Sequence, residues 1–490
     1  MSDAAREGHA EVEARVESGG GPARMARQAR LGRLSARARI SGLVDEGSFQ
    51  ELGRYARHDQ RESKRLAANR HLGDGVVCGW ARVSGRRVAV YAHDVTILRG
   101  SLGAAGARKL CQLLEQALAQ RVPVVALMDS DGARILEAMD AVESNGTYLA
   151  RVARLRRQVP QITVAFGLCV GSAAYAAALT DVVAMVEERS FMFVTGPKIT
   201  EVATREKVEI EDLGGDAFHA RLTGQCHARV ADDAAALAWT ARMLAFLEPE
   251  VSSDDVASRA TPELAELIPT DARRAYDARG VVEAVFDQGT VAELAPEFAP
   301  NLLCGLARLD GRAVAYLASQ PLKTSGVLDV DASLKGSRHL RLARCWGLPV
   351  VTLVDVPGYL PGRKQEAAGL LPHGAELIAA YAELTTPSVC LVLRKSYGGA
   401  SVMSFQADVR LALPDAVVAP TGVDAVLEME LGPEPEGASE EVLAARAELR
   451  AAWLERNGTV WAAAEAGFLD QVVSPQDARS ALARALRSLL

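Results

Sequence analysis

Two stretches carry residue types that could stabilise developing negative charge: PQITVAFGLCVGSAAY (160–175) and PSVCLVLRKSYGGASVM (387–403). Each opens with a short β-branched apolar run and breaks into small residues, a pattern that predicts a buried strand, a tight turn and the first turn of a helix. Helix-start amides have no partner within the helix. With no bulky side chain at Gly171, Ser172 and Ala173, or at Gly398, Gly399 and Ala400, a ligand oxygen can approach those amides. Chemically that is an oxyanion hole, suited to a carbonyl that becomes an enolate. A single such turn reads more readily as a packing site where a helix crosses a sheet. Two copies in register favour the hole.

The elements that must position these turns are duplicated. Pro160 and Pro387 lie 227 residues apart, as do Gly171 and Gly398, while Pro123 of RVPVVALMDSDG and Pro349 of GLPVVTLVDVPG lie 226 apart. Upstream, RRVAVYAHDVTILRGSLG (86–103) answers RAVAYLASQPLKTSGVLD (312–329). A repeat of this length predicts two copies of one domain, each carrying one candidate hole. Strand patterns alternate with helical patterns, which places both copies in the α/β class. The chain has 490 residues, more than one core usually serves. We therefore expect a flexible charged segment over 1–22, a frayed helix ending in a Ser-Gly-Gly-Gly-Pro hinge, then a first domain over 23–255 and a second over 256–490, with 246–277 as the Pro-, Asp- and Ser-rich link between halves.

Composition narrows the function. A formal net charge of −7 argues against a nucleic-acid surface. The longest apolar run, near Ala173 to Val186, is broken by Asp181 and is too short to span a bilayer, and the charged N-terminus has no secretory h-region. Seven isolated cysteines with no CxxC pair predict reduced thiols in a cytoplasmic protein and no metal site. His219 and His227, eight residues apart with no third ligand, point to hydrogen-bonded roles. The arginines around Ser35, a candidate helix cap, are Arg30, Arg33, Arg37 and Arg39, and they read either as a phosphate-facing helix or as a solvated one. RGSLGAAG (99–106) fits neither a dinucleotide fingerprint nor a P-loop, and a plain helix cap is favoured there. No G-x-S-x-G, no HExxH and no phosphate loop ending in Lys is present, so catalysis would rest on backbone amides and on the substrate's or cofactor's own groups.

At this point the motifs carry a resemblance. GRLSARARI, GDGVVCGWARVSGRRVAVYAHDVT, DSDGARI, FVTGPKI, EDLGG, LASQPL, TLVDVPGYLPGRKQEAAGLLPHGAEL, RKSYGGA and AAAEAGFLDQVVSP together resemble the carboxyltransferase (β) subunit of biotin-dependent acyl-CoA carboxylases, the propionyl-CoA type above all, from about residue 30 to the C-terminus. The resemblance implies two tandem crotonase-like (β-β-α superhelix) domains and a homohexamer, a trimer of dimers, in which the first domain of one subunit faces the second domain of another. It implies that acyl-CoA binds largely to the first domain and carboxybiotin to the second, with biotin carried by a partner protein, loaded by a biotin carboxylase, and acting as the base once CO2 has left it. The Gly171 and Ser172 amides would then hold the thioester enolate oxygen, and the Gly399 and Ala400 amides the biotin ureido oxygen. Substrate contacts would come from Gly100, Ser101, Ser130, Asp131, Gly132, Ala133, Arg134 and Ala173 on one side, and from Tyr397, Gly398 and Ser401 on the other.

Departures from the pattern leave the acyl group open. Asp131 stands where the family has a glycine, Ser172 where it has a second glycine, and Ser401 alone separates Ala400 from Val402-Met403-Ser404, where the family has a longer insert. Asp131 is read either as a solvated carboxylate at a helix start or as a carboxylate inside the thioester pocket. Two other activities compete with carboxyl transfer: decarboxylation or another enolate reaction of an acyl thioester, with or without biotin, and a weakly catalytic assembly role.

Overall fold

The computed structural model describes residues 8–59, 63–252, 259–271 and 273–490. The chain divides into two compact units, Met1–Ala245 and Phe246–Leu490. The boundary expected at 255/256 lies outside the described residues.

The first unit is built on strands β1 (Gln50–Glu51), β2 (Val76–Val83), β3 (Arg86–His93), β4 (Val124–Ser130), β5 (Gln161–Val170), β6 (Val182–Val186), β7 (Phe191–Phe193) and β8 (Ala228–Val230). They lie in the order β1-β2-β3-β4-β5-β6-β8, with β7 paired to the end of β5. β2 and β3 form an antiparallel hairpin, whereas β3 through β6 run parallel and are joined by helical crossovers. Both faces of β4 are covered, which is why VVALMDS shows no polar alternation. The crossover helix Ala104–Gln120 buries Leu110, Leu113, Leu114 and Ala117, one apolar stripe at helical spacing.

The second unit repeats this plan with β9 (Ala292–Leu294), β10 (Leu302–Leu309), β11 (Arg312–Ser319), β12 (Val350–Val356), β13 (Ser388–Tyr397), β14 (Val409–Ala412), β15 (Val417–Ala419) and β16 (Gln471–Val472). Their order is β16-β14-β13-β12-β11-β10-β9, with β15 on β13, so every strand has its counterpart. Fine detail repeats as well. Register shifts fall between Met128 and Ser130 in the first unit and between Val354 and Val356 in the second. The mixed α/β fold read from the sequence is thus present twice.

The N-terminal region contains the charged helix read from the sequence. Within 1–22, residues 1–7 lie outside the described set, but His9–Glu17 is a helix with Val16 buried. Arg54 ties it down through Glu13 and Glu17, and the Gly20 amide donates to the Thr96 hydroxyl at 2.9 Å. Ser35 caps its helix as predicted, accepting from the Ala38 amide at 3.2 Å. Among the described residues no helix is long and apolar enough to cross a membrane.

Candidate active site

Where β5 ends, Gly171 takes φ +55°, ψ −115°, a conformation closed to ordinary side chains, and the helix Ser172–Ala178 begins. Gly398 repeats this at the end of β13 with φ +58°. The sequence reading assigned the first hole to Gly171 and Ser172, and here the geometry corrects it. The Gly171 amide donates to the Phe193 carbonyl at 3.0 Å, because β7 pairs alongside the end of β5. The open helix-start amides are those of Ser172 and Ala173, which also stand in register with Gly399 and Ala400. No side chain caps either helix start.

The loop after β4 is pressed against this turn. A Cβ on Gly132 would lie 2.3 Å from the Val170 carbonyl oxygen and 3.5 Å from the Ser172 nitrogen, so only glycine permits the approach. Ser130 does not face a ligand: its buried hydroxyl donates to the Gly100 carbonyl at 2.7 Å and accepts from the Gly132 amide at 3.1 Å. Arg134 likewise differs from its expected role as a substrate contact. Its guanidinium, 2% exposed, donates to Asp74 Oδ1 at 2.6 Å, to Glu137 Oε1 at 2.9 Å and to the carbonyls of Asp74 and Ser101. The same two carboxylates accept from the Gly106 and Ala104 amides at the start of Ala104–Gln120. The glycine-rich 99–106 segment is therefore a helix cap filled by the chain's own carboxylates, as read. Leu102 and Ala133 bridge the two loops in parallel.

Asp131 meets neither description in full. It precedes no helix start, and it forms an ion pair with Arg99, with Nη2 to Oδ1 at 3.0 Å. Hydrogen bonding to that carboxylate raises the Arg99 pKa. Both side chains line a cleft of about 700 Å3, together with Ser101, Ala133, Val170 and Phe193. Arg99 also borders a recess of about 230 Å3 that holds Arg24, Arg27 and Arg65. Those arginines were not singled out, although the three-residue spacing of Arg24, Arg27 and Arg30 along Pro22–Arg30 marks one basic helix face. Of the four that were, Arg39 is buried against Asp129 and Asp233, and Arg37 is paired with Glu51.

Ser172 donates its hydroxyl to Asn145 Oδ1 at 2.7 Å, and Asn145 in turn donates to the Leu102 carbonyl at 3.0 Å. In the second unit, Ala400 and Ser401 are buried, and the Ser401 hydroxyl has no partner among the described residues. A Cβ on Gly399 would stand 3.8 Å from the Tyr359 ring. Tyr397 is half-buried, which raises its pKa. His219 bonds to Thr223 and to the Met192 carbonyl, and His227 accepts from the Val183 amide, as their weak metal spacing suggested.

Duplicated crotonase-type sheets with an amide turn at each strand end define a class of enzymes that hold enolates. The carboxyl transferase domain model matches residues 27–490, and the chain belongs to that family. It is 37% identical to the propionyl-CoA carboxylase beta chain of Roseobacter denitrificans, over 96% of this chain and 93% of the relative. It is 38% identical to that of Saccharopolyspora erythraea, over 100% and 92%. The solved structure of transcarboxylase 12S, described as a hexamer assembly with hydrolysed methylmalonyl-coenzyme A bound, superposes with a TM-score of 0.92 at 35% identity, covering 97% of this chain and 94% of that one. The chain is a carboxyltransferase of the propionyl-CoA carboxylase type, and the decarboxylase and assembly-only readings are not favoured.

Proposed function

We propose that the acyl-CoA thioester lies in the cleft of the first unit and that biotin, carried by a partner protein and loaded by a biotin carboxylase, meets the Gly399–Ala400 turn of the second. The observation that carries this reading is the register of the two turns, combined with an apolar cleft that reaches Val170, just before the first turn, and a basic recess that shares Leu98 and Arg99 with that cleft. The apolar walls suit a short acyl chain, and the arginines of the recess suit phosphate groups. Removal of the α-proton moves charge onto the thioester oxygen, and the Ser172 and Ala173 amides stabilise it there; one such donor is typically worth about 2.7–4 kcal/mol. In the second unit the residues fit a neutral, planar ureido group: small residues, open amides, a facing aromatic ring and the unpartnered Ser401 hydroxyl. Biotin would supply the carboxyl group and afterwards a base.

The assembly is proposed to be a homohexamer, in line with the hexameric description of transcarboxylase 12S and with the solvent-exposed Ile135, Met139 and Val142 at the rim of the first unit. A cytoplasmic setting is supported by seven free cysteines.

The test is Ala400→Pro. Proline removes one amide donor, and the preceding Gly399 relieves the backbone restriction that proline imposes. Biotin-dependent transfer should fall by about 100- to 1000-fold, while acyl-CoA affinity stays within about twofold of the parent. Loss of both together would mean that the two sites are wrongly assigned.

A further inference from the structure

We propose that the Arg99–Asp131 ion pair is a specificity device that disfavours acyl-CoA thioesters whose acyl chain bears a carboxylate. This rests on the reading that the first-unit cleft takes the acyl chain.

Position is the first argument. Asp131 is the residue before Gly132, whose missing side chain brings the loop to the Ser172 nitrogen, and Asp131 lines the same cleft as Val170, which immediately precedes the first turn. Orientation is the second. Arg99 borders both the cleft and the basic recess, whereas Asp131 borders the cleft alone. Asp131 thus presents its charge to the cleft alone and Arg99 to both cleft and recess, with side-chain exposures of 29% and 61% for Asp131 and Arg99.

The third argument comes from the internal repeat. Counted at the 226-residue offset, the second unit carries Ser325 in place of Arg99 and Pro357 in place of Asp131. It nevertheless makes the same left-handed turn, with Ser325 at φ +54°, and the same bridge between its loops, Leu328 to Tyr359. This backbone therefore forms without an ion pair. Arg99 also keeps φ +57°, a conformation that a glycine would hold without strain, so the arginine side chain is retained against a backbone cost.

An unsubstituted acyl group is neutral and meets the carboxylate without penalty. A carboxylated one brings a second negative charge to the same wall, and like charges a few ångströms apart repel. Because the reaction adds a carboxylate to the acyl chain, the device weakens retention of the product.

The experiment measures dissociation constants of propionyl-CoA and methylmalonyl-CoA by calorimetry for the full chain and for Asp131→Asn and Arg99→Gln. Both ligands share the CoA moiety, so the ratio of their constants cancels any change in phosphate binding. Asp131→Asn should improve methylmalonyl-CoA relative to propionyl-CoA by about fivefold or more, and Arg99→Gln, which leaves the carboxylate unpaired, should shift the ratio the other way. A ratio within about twofold of the parent in Asp131→Asn, or a shift in the same direction in both variants, overturns the proposal. A third variant, Ala133→Trp, fills the cleft. If it melts like the parent and binds both thioesters unchanged, the placement of the acyl chain has failed, and not merely the role of Asp131.

Discussion

His93 shows how one residue can couple the candidate site to pH. At the end of β3 it is fully buried, with Nδ1 at 2.9 Å from the Gly100 carbonyl, an acceptor that requires the Nδ1–H tautomer. Its Nε2 has no partner among the described residues, and burial pushes the imidazole pKa down to about 4. A folded-state value below the ordinary 6.5 means that the unfolded chain binds the proton first. Stability is therefore full above about pH 6.5 and is lost as pH falls toward about 4, by roughly 3 kcal/mol over the whole window. His339, also lowered by burial to about 4, acts in the same direction in the second unit. Melting temperatures between pH 7.5 and 5 should fall less steeply in His93→Asn than in the parent, and less steeply still when His339→Asn is added. At this scale the sequence was only partly legible. The glycines and small residues of both turns could be read because their spacing is local. The Gly171 amide could not, since its partner, the Phe193 carbonyl, arrives on a separate strand. Arg134 and Arg39 were opaque for a related reason: the carboxylates that engage them, Asp74 and Asp233, lie 60 and 194 positions away.

At the scale of elements, the hairpin and the first crossover helix are joined by a buried lysine. Lys109 donates to the Val76 carbonyl at 2.6 Å, the Gly73 carbonyl at 3.2 Å and the Gly53 carbonyl at 3.3 Å, and burial lowers its pKa. The second unit repeats the device, with Lys335 donating to the Phe298 carbonyl at 2.8 Å. Lys109→Met keeps the apolar stem but takes the ammonium donor from the Val76 carbonyl, whereas the Gly73 and Gly53 carbonyls still accept from the Val76 and Ala56 amides. We expect a loss of roughly 1–3 kcal/mol, seen as a melting temperature lowered by about 3–8 °C for a domain of this size. A melting temperature unchanged within error would mean that water satisfies the Val76 carbonyl. The helix itself was legible from its apolar stripe; the lysine on it was not, because a lone Lys in a helical pattern reads as a solvated face. The basic helix was placed too late in the chain for a similar reason. Arg37 and Arg39 sit in the denser run but fold inward, while the sparser Arg24 and Arg27 border the recess.

For the whole molecule, the proposed division of labour gives each unit one half of a transfer reaction. Sedimentation at micromolar concentration should show a hexamer, and a stable, fully active monomer would exclude the proposed assembly. The duplication itself was the most legible large-scale feature, since offsets of 226 and 227 residues recur in motifs that are recognisable on sight. What the offsets could not convey is how faithfully the backbone repeats, down to paired register shifts and left-handed glycines at matching positions. That fidelity makes the molecule its own control experiment. Amide exchange at Ser172 and Ala173 can be read beside Gly399 and Ala400 in one sample, at one temperature and one pH, from turns of the same shape. A ligand that slows exchange in one pair and spares the other reports its address directly, without a mutant or a second protein for reference.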